Sequence, residues 1–225
     1  YPMRDWQTQW YGTRGLFLRD LTLSERLSLE AEISAACSAH GIAEIVPGYD
    51  SLLILFKTRE AALAFRLPKG DAPTGSTALR ETSQRPTIQT PVCYDGPDLD
   101  AVAESLQLSV ESVIRLHSTP EYTVRMMGFS PGFPYLDGLP EALHLPRRDS
   151  PRNLIEPGSV AIGGPHAGIY SVGSPGGWHL LGRTSLRLFD AKLAQGANPC
   201  VEDCFRLKVG DRVRFVPVTK MEGAV

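Results

Sequence analysis

The stretch Tyr122-Thr-Val-Arg-Met-Met-Gly-Phe-Ser-Pro-Gly-Phe-Pro-Tyr-Leu136 decides how this chain is read. Its first six residues alternate, with Tyr122, Val124 and Met126 on one side and Thr123, Arg125 and Met127 on the other, the period of a strand. The next five, Gly128-Phe-Ser-Pro-Gly132, match the G-x-S-x-G of serine hydrolases, in which a strand turns sharply into a helix. Backbone chemistry refuses that reading. In such an elbow the residue after the serine donates its N–H to an oxyanion and begins the helix; here it is Pro131, which has no N–H. Gly132 and Pro134 oppose a helix as well. Ser130 is therefore not read as an acyl nucleophile.

Downstream, strands dominate. Ser159–Ile162, Gly168–Val172, Trp178–Arg183, Leu186–Phe189 and Arg212–Val216 are short and separated by turn residues, the pattern of an antiparallel barrel or sandwich. Upstream, a strand near Thr87–Tyr94 leads to a helix started by Asp98 with Leu99, Val102, Ala103 and Leu106 on one side. A second helix capped by Ser109 puts Val110, Val113, Ile114 and His117 on one face. The plain reading of His117 is a hydrogen-bonded core histidine; a ligand role is the alternative. Nearer the N-terminus, Gly15–Leu21 reads as a strand, and Thr22-Leu-Ser-Glu25 has the form of a capping box. The helix it opens carries Leu29, Ile33, Ala36 and Cys37 and stops at Gly41. Strands Ile42–Val46 and Ser51–Phe56 and a short helix from Arg59 to Leu67 complete a small α/β unit. Periodicity vanishes between Pro68 and Pro86. The expected organisation is α+β: a domain over 1–70, a linker over 71–86, and a second domain over 87–225.

Among the 225 residues, 42% are hydrophobic and 21% charged, and the net charge is −2. This describes a packed globule without the cationic surface that nucleic-acid binding requires. No run approaches the ~20 apolar residues of a membrane span, and no secretory layout is evident, so a cytoplasmic location is expected. Cys200 and Cys204 form a lone C-x-x-x-C without the further ligands of a structural zinc site, and no metal is expected. Neither a phosphate-cradling G-x-x-x-x-G-K-[ST] loop nor an H-E-x-x-H motif occurs, so the chain is not expected to hold ATP alone.

The chemistry is sought in Gly128–Arg183, where proline and glycine runs make loops whose shape is set before a ligand arrives. Phe129, Phe133, Tyr135, Tyr170 and Trp178 can wall a pocket, and Arg147, Arg152 and Arg183 can bind a carboxylate or phosphoryl group bidentately. Turns between short strands need glycine and proline anyway, and aromatics fill barrel cores. Residue chemistry alone does not separate site from architecture.

Several motifs of this region, in order, carry a resemblance. Gly128-Phe-Ser-Pro-Gly-Phe-Pro-Tyr-Leu136, Pro157-Gly-Ser-Val-Ala-Ile162, Gly168-Ile-Tyr170, Ser174-Pro-Gly-Gly-Trp178 and Gly182-Arg-Thr184 strongly resemble the family to which the B subunit of 5-oxoprolinase belongs. That family is also described as allophanate hydrolase subunit 1 or the KipI kinase-inhibitor family. The likeness runs from about Ile42 to Val218. It implies a small N-terminal α/β domain followed by a C-terminal cyclophilin-like antiparallel β-barrel. It implies a hydrolase component acting on a small cyclic amide, working with a homologous C subunit and an A subunit to open 5-oxoproline to glutamate. ATP is then bound with or by those partners. Related modules act as the carboxyltransferase part of urea carboxylase, and one relative inhibits a sporulation histidine kinase; both stand as alternatives. A prolyl isomerase activity is not expected, because fold does not carry function. Where the family commonly reads Ala-Gly-Gly-Gln-Thr-Gly-Ile-Tyr-Pro, this chain has Gly163-Gly-Pro-His-Ala-Gly-Ile-Tyr-Ser171. His166 thus replaces an amide and is expected in the pocket, with a solvent-facing turn histidine as the alternative. An imidazole offers different donors and titrates near neutrality, which would alter what is bound. The catalytic proton carriers are not identifiable.

Overall fold

The computed structural model describes residues 6–68, 86–194 and 201–220. The expected linker 71–86 and Cys200 fall almost wholly or wholly outside them. The chain separates into two compact units, Tyr1–Gln84 and Arg85–Val225.

In the first unit, β1 (Gln7–Tyr11), β2 (Gly15–Arg19), β3 (Ile42–Pro47) and β4 (Leu52–Phe56) form an antiparallel sheet in the order β1-β2-β4-β3. Helices α1 (Leu23–Ala35) and α2 (Arg59–Ala64) accompany it. The predicted capping box is present: Thr22 accepts from the Glu25 backbone, and the Glu25 carboxylate accepts from the Thr22 N–H at 2.8 Å. Leu29 and Ile33 of α1 join Leu18, Leu52, Ile54 and Phe56 in one buried cluster. Strand β1 has no counterpart among the sequence expectations, because its QTQWY is exposed along its whole length and shows no buried alternation.

The second unit contains β5 (Ile88–Val92), α3 (Leu99–Ser105), α4 (Val110–Ser118), β6 (Tyr122–Met127), β7 (Pro134–Asp137), β8 (Arg152–Ile155), β9 (Ser159–Gly163), β10 (His166–Ile169), β11 (Ser174–Gly176), β12 (His179–Arg183) and β13 (Arg212–Pro217). Seven strands make one sheet in the order β12-β9-β10-β7-β6-β13-β5. Neighbours are antiparallel except β13 and β5, which run parallel. The sheet nearly closes into a barrel. Cys93, just past β5, exchanges two 2.9 Å backbone hydrogen bonds with Arg183 at the end of β12. Gly182 permits that approach, since a Cβ there would lie 2.2 Å from the Cys93 carbonyl. Strands β8 and β11 form a separate pair. No helix among the described residues is long and apolar enough to cross a membrane.

One expected strand is absent. Leu186–Phe189 forms no strand: the Thr184 hydroxyl accepts the Leu186 N–H at 3.2 Å, a local bond that competes with sheet pairing. Only an isolated bridge between Phe189 and Phe205 remains. Conversely, β7, β8 and β11 begin at, follow or contain prolines, and their sequences carry loop signals rather than strand signals. His117 lies in the core, fully buried, stacked on Phe215 at 4.4 Å and 2.7 Å from the Tyr94 hydroxyl.

Candidate functional site

Side-chain alternation divides the barrel strands between two cores. Leu136, Val160, Ile162, Ala167 and Ile169 face one way and join the helices α3 and α4 in the main cluster. The intervening positions face the other way, and there Phe133, Ala161, Tyr170, Trp178 and Leu180, with Tyr135 alongside, form a second cluster. The aromatics named from sequence therefore do not fill the main core. They pave the opposite face of β7, β9 and β10.

Two glycines make room for this paving. A Cβ on Gly163 would lie 2.7 Å from the Trp178 ring, and one on Gly168 would lie 2.9 Å from both Phe133 and Trp178. The indole lies over positions where any other residue would place a side chain. Phe133 meets Tyr135, Tyr170 and Trp178 edge to face at 5.2–5.4 Å between centroids, the arrangement that aromatic quadrupoles favour. Phe129 completes the group from the Gly128–Gly132 turn. It is 59% exposed and holds φ at +69°, a left-handed conformation that costs a bulky residue energy and is kept only where the surroundings enforce it. The turn is held by the Phe133 N–H donating to the Ser130 carbonyl and by the Ser171 hydroxyl donating to the Pro131 carbonyl at 2.6 Å. Ser171 thus pins the loop from which Phe129 projects. Strand β7 follows the turn, without a helix, and the Ser130 hydroxyl has no hydrogen-bond partner among the described residues.

Phe129, Phe133, Tyr135, Arg147, Tyr170, Gly176, Gly177 and Trp178 line a cleft of about 60 Å³. That is space for about two waters, so a ring held here would sit partly in the open mouth of the cleft. Burial pushes the Tyr170 phenol above its ordinary pKa, against the hydrogen bond from the Trp178 backbone and the charges of Arg147 and Arg152, so it stays protonated at neutral pH.

The other candidates separate from the cleft by degrees. Arg152 donates to Asp98 at 2.7 Å, and Arg148 donates to the same carboxylate oxygen at 2.9 Å. The second oxygen of Asp98 accepts the Leu180 N–H at 2.7 Å. This corrects the reading of Asp98 as a helix cap: it stands at the head of α3 but makes no capping bond there. Burial opposes its ionisation, yet the Arg152 and Leu180 hydrogen bonds and the two guanidinium charges prevail and hold its pKa below the ordinary value. His166 lies beside the cleft, its ring edge-on to Tyr135 at 6.2 Å and its Nδ1 3.5 Å from Asp137. Arg183 is elsewhere: it pairs with Asp95 at 2.7 Å and lines a wider groove of about 510 Å³ with Cys93, Thr184 and Lys220. A further groove of about 430 Å³ runs between Val172 and Leu188. Both are larger than the aromatic cleft; the second takes in Tyr170, Arg187 and Phe189 from its own side, but neither brings Phe133 and Trp178 together with an arginine. Sequence reasoning missed Asp98, Arg148 and Asp137. An aspartate before a helix looks like a cap whether or not its carboxylate turns away, so no local pattern could have marked Asp98.

The cleft offers stacking surfaces, one arginine and a protonated phenol, with neither an activated nucleophile nor a general base among its lining residues. Fold and site together define an α+β module whose nearly closed barrel carries an aromatic cleft. The sequence places it further: the chain belongs to the family described as carboxyltransferase domain, subdomain C and D, whose model matches residues 8–200. It is 41% identical over 179 residues to the B subunit of 5-oxoprolinase from Escherichia coli O157:H7, covering 78% of each chain. It is 36% identical over 197 residues to the B subunit of 5-oxoprolinase from Bacillus subtilis strain 168, covering 81% of this chain and 78% of that one. Among solved structures, that of TTHA0988 superposes with a TM-score of 0.68 at 35% identity, over 93% of this chain. This chain spans only 40% of that longer one.

Proposed function

We propose that this chain serves as the B subunit of a 5-oxoprolinase and holds the lactam in the aromatic cleft while partner subunits complete the chemistry. The single observation that carries the binding half is the joining of Phe133, Tyr170 and Trp178 with Arg147 around one small cleft. The relatives that share 36–41% of its residues over most of its length carry that name. A five-membered lactam bearing a carboxylate presents a flat ring to the aromatic walls and an anion to Arg147. Guanidinium recognises a carboxylate bidentately, and exclusion of water by the rings strengthens that contact. His166, beside Tyr135, is placed to meet the edge of a bound ring and supplies this chain's departure from the family's amide.

Opening the lactam adds water across its C–N bond: the water oxygen joins the carbonyl carbon, which becomes a carboxylate, and a proton reaches the ring nitrogen. A stable amide needs activation for this step, which ATP supplies. The cleft's own residues bind and orient; Tyr170, kept protonated, can donate a hydrogen bond but not accept the water's proton. ATP handling and proton abstraction are assigned to the partners, the homologous C subunit and the A subunit. The test is reconstitution with both partners, 5-oxoproline and ATP, measuring glutamate and ADP together. Glutamate release that requires this chain is expected, and Arg147→Ala should raise KM about tenfold, the loss of one charge-assisted contact. An assembled complex that releases no glutamate would overturn the assignment.

A further inference from the structure

We propose that Asp98 is a positioning residue for that reaction, a buried clamp that fixes the wall of the cleft on which Arg147 and Trp178 stand. The kinetic part of this inference rests on the function assigned above; the geometry does not.

Asp98 is 4% exposed, and its carboxylate joins segments far apart in sequence: the Arg148 and Arg152 side chains and the backbone of Leu180. Arg148 follows Arg147 directly, and Leu180 is two residues beyond Trp178, so two of the three contacts adjoin cleft residues. The same segments are joined again by two further hydrogen bonds. The Arg148 N–H donates to the Gly177 carbonyl at 2.8 Å, and the His179 ring nitrogen bonds the Pro146 carbonyl at 2.8 Å. Residues 146–148 and 177–180 thus form one wall, with Asp98 behind it.

Charge makes the clamp more than a strut. One carboxylate facing two guanidinium groups leaves a net positive charge behind the cleft. Arg152 also keeps a buried Nη1 with no hydrogen-bond partner among the described residues. A buried donor left unsatisfied is costly, so this guanidinium depends on its bond to Asp98. Without the carboxylate, two partly exposed like charges would face one another with no anion between them, and the segment carrying Arg147 would lose its anchor. Asp98 does not line the cleft itself, so its effect must pass through Arg147 and Trp178.

Asp98→Asn, assembled with its partners, is expected to raise KM for 5-oxoproline about tenfold with kcat within about twofold, the signature of lost uniform binding. In an Arg147→Ala background the same change should have a clearly smaller effect, only the part that passes through Trp178, because residues acting through one contact are non-additive. A merely structural role would lower stability in both backgrounds and leave the KM effects multiplicative; that result, or an unchanged KM, overturns the proposal. A second measurement needs no substrate. With Trp6→Phe and Trp10→Phe, Trp178 is the sole tryptophan, and Asp98→Asn should increase its quenching by acrylamide; unchanged quenching overturns the clamp whatever the complex catalyses. If Asp98→Asn does not fold, Arg148→Gln removes one arm and leaves Arg152 paired. It should give the same changes at smaller size, and its failure to do so counts equally against the proposal.

Discussion

A methyl group at position 163 or 168 would have to occupy space already filled by the Trp178 ring. Because the indole is 5% exposed and wedged against Phe133, it cannot give way like the end of a flexible side chain. Gly163→Ala or Gly168→Ala should therefore destabilise the second unit by about 1–3 kcal/mol, the usual cost of overpacking. Denaturant unfolding measures that loss. Trp178 should at the same time shift its emission toward that of a solvated indole, and an unshifted spectrum would mean that the sheet, not the ring, had moved. Phe129 is a different case at the same scale. Its left-handed φ of +69° suggests Phe129→Gly as a change that relieves backbone strain while removing a wall of the cleft. Stability should hold roughly level while affinity for a ring-shaped ligand falls.

Among the elements, α1 offers the cleanest test, since its start is fixed by the reciprocal Thr22 and Glu25 bonds. Thr22→Ala should cost the first unit about 1 kcal/mol, followed by thermal or denaturant unfolding. That helix is legible in sequence because a capping box and a buried 3.6-residue face state their purpose locally. So are α4, with its Ser109 cap, and the strands β6, β9 and β13, with their apolar and β-branched runs. The exposed strand β1 and the proline-bearing β7, β8 and β11 are not, because strand pairing there is dictated by partners distant in sequence. The site divides in the same way. Aromatic identity points to Phe133, Tyr170 and Trp178, but which arginine faces them depends on where a buried aspartate sits, and Arg148 and Arg152 differ from Arg147 only in that tertiary fact. The face on which the aromatics lie can be read only once strand register is known, as a one-residue slip exchanges the two sides of a strand.

For the molecule as a whole, stability should depend on pH through His117. Burial among Tyr94, Tyr122 and Phe215 pushes its pKa down to about 3 from an ordinary 6.5. Between those values the unfolded chain takes up a proton that the folded chain refuses. Stability is thus fully present above about pH 6.5 and declines as pH falls below it, by at most about 1.4 kcal/mol per pH unit. Asp98, whose pKa is lowered, adds a further loss only at more acid pH, below the ordinary carboxylate value. Replacing the histidine, as in His117→Phe, should flatten the stability profile between pH 6.5 and about pH 4.5 without abolishing acid unfolding. An equally steep profile in the variant would assign the dependence to other groups.

The parallel pairing of β13 with β5 has a consequence for how the molecule is made. Strand β13 lies between β6 and β5, so among the described residues β5 finds its neighbour in the sheet only in β13. A ribosome delivers the amino end first, and β5 must wait through about 120 residues of synthesis before that neighbour emerges. During this interval the main core cannot close, and the paved aromatic face has no finished sheet beneath it. Nascent chains halted before Arg212 should accordingly remain protease-sensitive throughout the second unit, and resistance should arrive in one step as β13 leaves the exit tunnel.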